Sequence, residues 1–471
     1  YFERYGEDFF SALPELVWES ANRQFSRARY RYCEHLGTRF EQAYFQQIGK
    51  WCKEHNLFFT GHMLAEGELD CQCVRTGDVM RCFKSFGLPG IDMLCDFPEY
   101  GTAKQAQSVS RQYGCGGVLS ELDGVTDWDF DFKGHKGHGD WQAALGVTVR
   151  VPHLSHLSLK GEAKRDYPAS ISFQSAWWKK YPLIANHFAR VNVAMTRGKA
   201  CVHIGVIHPI ESYFLVLGPR NQTHARRELL ESGFQLLTKW LLHGLIDFDF
   251  ISEALLPDQS PDVEGSSFRV GEMAYEIVIV PPCFTLRSST LALLERFRDQ
   301  GGRVLFAGHV PECCEAERSS RAEELAARSE HIDFQKETIL EALQEQREIT
   351  VLSPAGKPLE ELVCQLREED VSTRYLFIAN TRRIGNSERA IVRIRGEWQV
   401  EMLDTFQGTI RQIDATCKQG WTEFRFVFHP HGHLLVRLWR NRVLSWRTRM
   451  NSGQMWHWKR IRCSDWRGSM Q

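Results

Sequence analysis

Apolar positions in the first third of the chain switch between two periods. Phe40, Tyr44, Phe45, Ile48, Trp51 and Cys52 recur at helical spacing and predict one amphipathic helix, which Asn56 ends. The apolar run 57–62 then predicts a short buried strand. The alternation repeats three times: helix 77–86 and strand 89–94, helix 103–113 and strand 117–121, helix 140–145 and strand 147–151. Four helix–strand units with short connections imply parallel strands joined by crossover helices. The strands are mostly apolar, as suits a sheet covered on both faces. The glycines around His135 and His138 predict a loop there.

A second α/β pattern follows, with strand 201–207, helix 226–242, strand 275–281, helix 291–300 and strand 303–308. Residues 315–348 are charged and Ala-rich and predict exposed helix. Beyond 365 the period falls to two, in runs such as 375–380, 390–396 and 422–428, which predicts an antiparallel β-sandwich. The expected domains are therefore 1–198, 199–355 and 365–438, followed by a tail, 439–471.

Composition changes this picture mainly at the tail. The formal net charge is −1, so no chain-wide basic field for nucleic acid exists. That value is a cancellation: 439–471 carries +7 and five of the 14 tryptophans, leaving −8 on residues 1–438. The tail has neither strand nor helix period and reads as out-of-frame or intron-derived sequence; the rival reading is a basic, aromatic patch for polyanions. No apolar run is long enough for a membrane span. The 14 cysteines include no CxxC pair and read as free thiols, which favours a reducing, cytoplasmic compartment over secretion. Asn221-Gln222-Thr223 is a weak signal the other way.

Ionisable residues gather at or just beyond the strand ends: His62 and Glu66, Asp92 and Asp96, Glu121, then His153 and His156. In a closed eight-stranded barrel this is the catalytic face; in an open doubly wound sheet it is the switch-point crevice. No Gly-rich phosphate motif opens any helix, so no nucleotide or other cofactor is expected. Glu121 ends a rigid strand, as a catalytic carboxylate requires, although a Glu there also serves to bond a loop or cap a helix. Glu66 and Glu68 offer a second carboxylate or a hydroxyl ligand, or else a solvated loop. His135, His138, His153 and His156 suggest a metal, but without an HExxH helix no metal site is expected. Trp128, Trp141, Trp177, Trp178 and Tyr167 suit stacking on sugar rings or core packing. Residues 160–167, with Arg165 and Tyr167, read as a polar loop that suits hydroxyl groups.

Trp51-Cys52, Thr60-Gly61-His62 with Glu66, Pro89-Gly90-Ile91-Asp92-Met93-Leu94, Leu119-Ser120-Glu121-Leu122 and Gly139-Asp140-Trp141-Gln142-Ala143-Ala144-Leu145-Gly146 resemble, in that order, the barrel glycoside hydrolases of clan A. The α-L-rhamnosidase-like families and the family-42 β-galactosidases are nearest. The resemblance implies the C-terminal half of a (β/α)8 TIM barrel over 1–198. It implies next a flavodoxin- or glutamine-amidotransferase-like α/β domain used for oligomerisation, and then an antiparallel sandwich. In that clan the nucleophile ends the seventh strand and the acid/base ends the fourth. With 147–151 as the eighth strand, Glu121 takes the nucleophile position and the acid/base falls upstream of Tyr1. Catalytic roles are therefore expected at Glu121 and Glu66, and substrate contacts at His62, Asp92, Trp128, His153, Arg165 and Tyr167. The expected reaction is retaining cleavage of glycosidic bonds. The chain itself reads as an N-terminally truncated fragment, inactive and poorly stable alone, with a carbohydrate as its partner and neither nucleic acid nor membrane. The competing readings are a non-catalytic carbohydrate-binding or assembly protein on this scaffold, and a metal-dependent hydrolase using the His pairs.

Overall fold

The computed structural model describes residues 1–19, 25–165, 171–260 and 265–440. They pack as two compact units, each built from separated stretches of chain. The first holds 1–92, 99–120 and 202–346; the second holds 93–98, 121–201 and the described residues from 347 onward. The expected 439–471 tail lies outside the described residues except at its start, where Trp439 completes a strand and pairs with Thr373.

Four strands match the first alternation: β1 (Thr60–Gly61), β2 (Leu88–Met93), β3 (Val118–Leu122) and β4 (Val147–Pro152), adjacent in that order. β1 is much shorter than the apolar run predicted. Its two residues pair in parallel with Leu88 and Pro89. A Cβ on Gly90 would stand 2.1 Å from the Gly61 carbonyl oxygen, so only glycine lets these strands approach.

In the first unit the helix Arg27–Phe40 opens with Ser26, whose hydroxyl accepts the Arg29 N–H at 3.0 Å. A wider turn, Glu41–Phe45, and the helix Gln46–Glu54 continue it. Of the apolar face predicted here Phe45 is buried, whereas Phe40, Tyr44 and Trp51 are exposed. The helix Tyr100–Tyr113 is almost wholly buried, including Lys104, Gln105 and Gln112. Beyond 202 five parallel strands form one sheet: β5 (Ile204–Ile207), β6 (Asp249–Ile251), β7 (Ile277–Val280), β8 (Arg303–Ala307) and β9 (Glu330–Ile332). The sheet order is β9-β8-β7-β5-β6, the doubly wound flavodoxin-like arrangement. Every residue of β5, β6 and β7 is buried, which explains the unbroken apolar runs of β5 and β7. Burying each Ile or Val here contributes about 1.5–3 kcal/mol.

Buried charge ties helix Tyr100–Tyr113 to this sheet. Lys104, with no exposed surface, donates to Asp247 at 2.8 Å and lies 3.7 Å from Asp249. Arg111 spans the same two carboxylates at 2.7 and 2.8 Å. The exposed helix expected over 315–348 is instead mixed: short strands at Cys313–Cys314 and Glu317–Arg318, helices Arg321–Ala327 and Lys336–Ala342, and β9 between those helices. Ala322, Leu325, Ala326 and Ile339 are buried, so the apolar residues there, rather than the charged majority, set the structure.

The second unit contains two antiparallel sheets. One orders Ile349–Leu352, Glu388–Arg395, Trp421–Phe428 and Thr416–Lys418. The other orders Thr409–Ile413, Gln399–Asp404, His433–Trp439, Thr373–Asn380, Leu362–Asp370 and the two-residue strand Lys199–Ala200. Alternation is plain in Glu388–Arg395, where Ala390, Val392 and Ile394 are buried and their neighbours less so. The helix Phe132–Ala144 corrects the loop expected at His135–His138. Asp131 caps it, accepting the Gly134 N–H at 2.8 Å. Its glycines admit neighbours rather than break the helix: a Cβ on Gly139 would stand 2.2 Å from the Phe188 ring.

Candidate active site

The exits of β2, β3 and β4 belong to the second unit and are laced together by backbone. Cys95 N–H donates to the Gly124 carbonyl at 2.8 Å, and His153 N–H donates to the Leu122 carbonyl at 2.7 Å. Glu121 is half-buried at the end of β3. The loop that follows is strained: Asp123, Val125 and Asp127 take φ of 72°, 62° and 69°, a region unfavourable to side chains and most of all to β-branched Val. It is held by what it bonds. Buried Asp123 meets His135 Nδ1 at 3.1 Å and His138 Nδ1 at 3.2 Å. Burial alone would raise the Asp123 carboxyl, but the two imidazoles hold it below its ordinary value. The Thr126 hydroxyl bonds the Asp123 carbonyl at 2.6 Å.

His153 lies beside this loop, its ring 3.5 Å from where a Cβ of Gly124 would stand. Trp128 follows it, 38% exposed, with its N–H on Asp127 at 2.7 Å. These two therefore share the loop of Glu121. Arg165 is exposed on the turn Glu162–Arg165, and Tyr167 lies outside the described residues. Trp141 is buried, whereas Trp177 packs its ring on Phe132, His135 and Tyr181. Sequence reasoning missed Arg383, which pairs with Asp96 at 2.9 Å and places its guanidinium 4.9 Å from the exposed Phe97 ring. Arg383 lies 287 residues from Asp96, and no local pattern signals that pairing.

The exit of β1 belongs to the first unit. His62 Nε2 lies 4.0 Å from Asp92, and its Nδ1 contacts the Met63 carbonyl at 2.8 Å. Glu66 turns inward: it is 3% exposed and accepts the Met63 N–H at 2.8 Å. Its carbonyl receives the Gln72 and Gln105 side-chain amides at 2.7 and 3.1 Å. Burial pushes the Glu66 carboxyl up to about 7. Glu68 precedes the helix Leu69–Arg75, and its carboxylate contacts the Cys71 thiol.

The histidine pairs expected to suggest a metal separate. His135 and His138 share Asp123, while a different group, Asp140, His187 and His433, brings donor atoms within 4.8 Å. His187 Nε2 meets Asp140 at 2.7 Å, and its Nδ1 meets the Thr405 hydroxyl at 2.7 Å. The same hydroxyl is 2.9 Å from His433 Nε2. With both imidazoles neutral, one proton arrangement satisfies these bonds. His187 donates to Asp140, Thr405 donates to His187, and His433 donates to Thr405. Burial lowers both histidines, which keeps them neutral. The Lys136 ammonium bonds Asp140 directly and already supplies the cation this cluster needs. Burial would raise Asp140, but Lys136 and His187 hold it well below the carboxylate range.

No family model matches the chain, and no curated protein matches it in sequence. Solved structures do match in fold. The rhamnosidase from Novosphingobium sp. PP1Y aligns with TM-score 0.67 at 15% identity over 90% of this chain. A β-galactosidase from Bacillus circulans sp. alkalophilus aligns with TM-score 0.60 at 12% identity over 93%. Gan42B, a GH42 β-galactosidase from G. stearothermophilus, aligns with TM-score 0.63 at 10% identity over 93%. The chain spans 41% of the rhamnosidase and 75% of each β-galactosidase. Its fold is thus one found in glycoside hydrolases of the clan A kind. Among the described residues no helix is long and apolar enough to cross a membrane.

Proposed function

We propose that this chain is the nucleophile-bearing part of a glycoside hydrolase that cleaves a glycosidic bond with retention. The observation that carries the reading is Glu121: a half-buried carboxylate at the carboxyl end of β3, on a fold found in rhamnosidase and β-galactosidase structures. Retention needs two carboxyl groups about 5–5.5 Å apart, one attacking the anomeric carbon and one protonating the leaving oxygen. Glu121 is assigned the attack. The Asp123–His135–His138 cluster fixes the loop behind it, which limits the carboxylate's freedom before reaction. His153 and Trp128, on the same backbone frame, are assigned to the sugar, Trp128 through its exposed ring face.

His62, Asp92, Arg165 and Tyr167 are assigned to substrate binding. Glu66 is the other carboxyl considered for chemistry. Its raised value suits a proton donor, but its oxygen is committed to Met63 N–H, so we assign it to holding the 62–66 loop. The acid/base is assigned to a strand other than β1–β4. The sheet β5–β9 is assigned to assembly between copies.

The test is turnover of a nitrophenyl glycoside panel by a form of the protein that hydrolyses one of them. Glu121→Gln is expected to lower kcat by several orders of magnitude, with circular dichroism unchanged and azide restoring product of inverted configuration. Glu66→Gln is expected to leave kcat within about tenfold. Turnover surviving Glu121→Gln removes the assignment. Loss with Glu66→Gln as deep as with Glu121→Gln makes Glu66 the second catalytic carboxyl.

A further inference from the structure

The five-stranded sheet of the first unit has its own switch point. β5 and β7 are neighbours, and the chain leaves them toward opposite sides, β6 beside β5 and β8 beside β7. In open α/β sheets ligands bind outside the carboxyl ends of the strands at this crevice. Here those ends carry charge. Glu211 follows β5 and Arg287 follows β7, and they meet in an ion pair of 2.6 Å. Over this pair the helix Arg27–Phe40 places Tyr30, whose hydroxyl donates to Glu211 at 2.5 Å, and Glu34, which lies 3.4 Å from Arg287.

A cavity of about 490 Å³ opens at this place, lined among others by Arg4, Tyr5, Tyr30, Arg31, Glu34 and Arg287. That volume is within the range of small-molecule sites. Its lining is polar, and its guanidinium groups are already paired. Glu34 is held by Arg4 at 2.9 Å, Arg81 at 3.3 Å and Arg287, and accepts the Tyr5 hydroxyl at 2.5 Å. Arg31 is paired with Glu7 at 2.6 Å. An anionic ligand would therefore find no unmatched cation here, and Glu315, a lining carboxylate outside these ion pairs, is taken up by the Ser288 N–H at 3.0 Å and hydroxyl at 2.6 Å. What remains is directional hydrogen bonding. A guanidinium has five N–H donors and a carboxylate about four lone-pair sites, more than the ion pairs use. Beside them lies the Tyr5 ring, with Arg4 and Arg31 5.4 and 5.1 Å from its centre.

Planar donors and acceptors next to an aromatic ring recognise vicinal hydroxyl groups. We propose that the switch-point cavity of the β5–β9 sheet is a second, non-catalytic site that binds a neutral, hydroxyl-rich molecule of mono- or disaccharide size. It is independent of the assignment of Glu121.

Isothermal titration of the full chain tests this with D-galactose, L-rhamnose and lactose as neutral probes and inorganic phosphate and citrate as anions. The variants are Tyr5→Ala, Arg31→Ala and Glu121→Gln. Arg31→Ala leaves the Glu34–Arg81–Arg287 network in place, and Glu7 keeps Arg27, so the fold is expected to survive it. The expected result is saturable binding of at least one sugar, weakened about tenfold or more by Tyr5→Ala and Arg31→Ala and unchanged by Glu121→Gln. Sugar binding lost with Glu121→Gln but indifferent to Tyr5→Ala and Arg31→Ala overturns the proposal. So does saturable binding of the anions alone, or of no probe up to about 100 mM.

Discussion

Asp247→Asn tests the reading that buried charge ties the helix Tyr100–Tyr113 to the β5–β9 sheet. The change keeps shape and one acceptor but removes a charge. In the native unit two cations, Lys104 and Arg111, face two anions, Asp247 and Asp249. At 2.8 Å and an effective dielectric of about 20, the Lys104–Asp247 attraction alone is about 6 kcal/mol. Against it stands the desolvation of an ammonium with no exposed surface, which lowers Lys104 from its ordinary value. Removing one partner from such a pair costs about 3–5 kcal/mol, because the survivor stays buried. The sign with pH follows from proton uptake. In the variant, unfolded Lys104 binds a proton more readily than folded Lys104, so stability rises with pH. The loss is therefore expected in full at about pH 7 and reduced at about pH 9.5. Urea unfolding read by hydrogen exchange at Tyr100–Tyr113 and Asp249–Ile251 measures both. A loss under about 1 kcal/mol at neutral pH, or one equal at both pH values, would refute the account.

Three further outcomes are expected. Burial lowers His187 and His433, so the unfolded chain takes up protons first and the second unit loses stability as pH falls below about 6.5; His433→Gln should flatten that slope in acid-dependent thermal melts. Glu66, raised to about 7, keeps its proton in the folded state and costs stability as pH rises through that value; Glu66→Gln should melt higher than the parent at about pH 8 and equal to it at about pH 4. Gly139→Val should destabilise the second unit by about 1–3 kcal/mol, since the added carbons meet the Phe188 ring, and proteolysis between Phe132 and Met195 should report it.

The sequence made legible whatever burial alone dictates. β2, β3, β4, β7 and β8 lie within a few residues of their apolar runs; β7 and β8 are buried almost throughout, and a strand covered on both faces can hold little else. The order of those runs pointed to parallel α/β units followed by antiparallel strands, and the resemblance to clan A chose a barrel over an open sheet; structures of rhamnosidase and β-galactosidase share the fold. Legibility failed where contact decides form. Phe132–Ala144 is rich in glycine and still helical, because Gly139 receives Phe188. The 315–348 segment follows its six buried apolar residues and not its many charges. Glu121 was readable because it ends an apolar strand, and His62, Asp92 and His153 because they end others. Asp123, Arg383 and the Asp140–His187–Thr405–His433 ring were not, since each acts through partners distant in sequence or through a backbone angle that no periodicity records.

The division into two units has a consequence for how the chain is made. Neither unit is finished when the ribosome reaches its first boundary. Residues 1–92 wait for 202–346, and 121–201 wait for the strands beyond 347. Apolar faces meant for late partners are thus exposed during synthesis, and closing such long loops is slow. A nascent chain stopped near residue 200 would hold four helix–strand repeats with no finished core, a natural client for a chaperone.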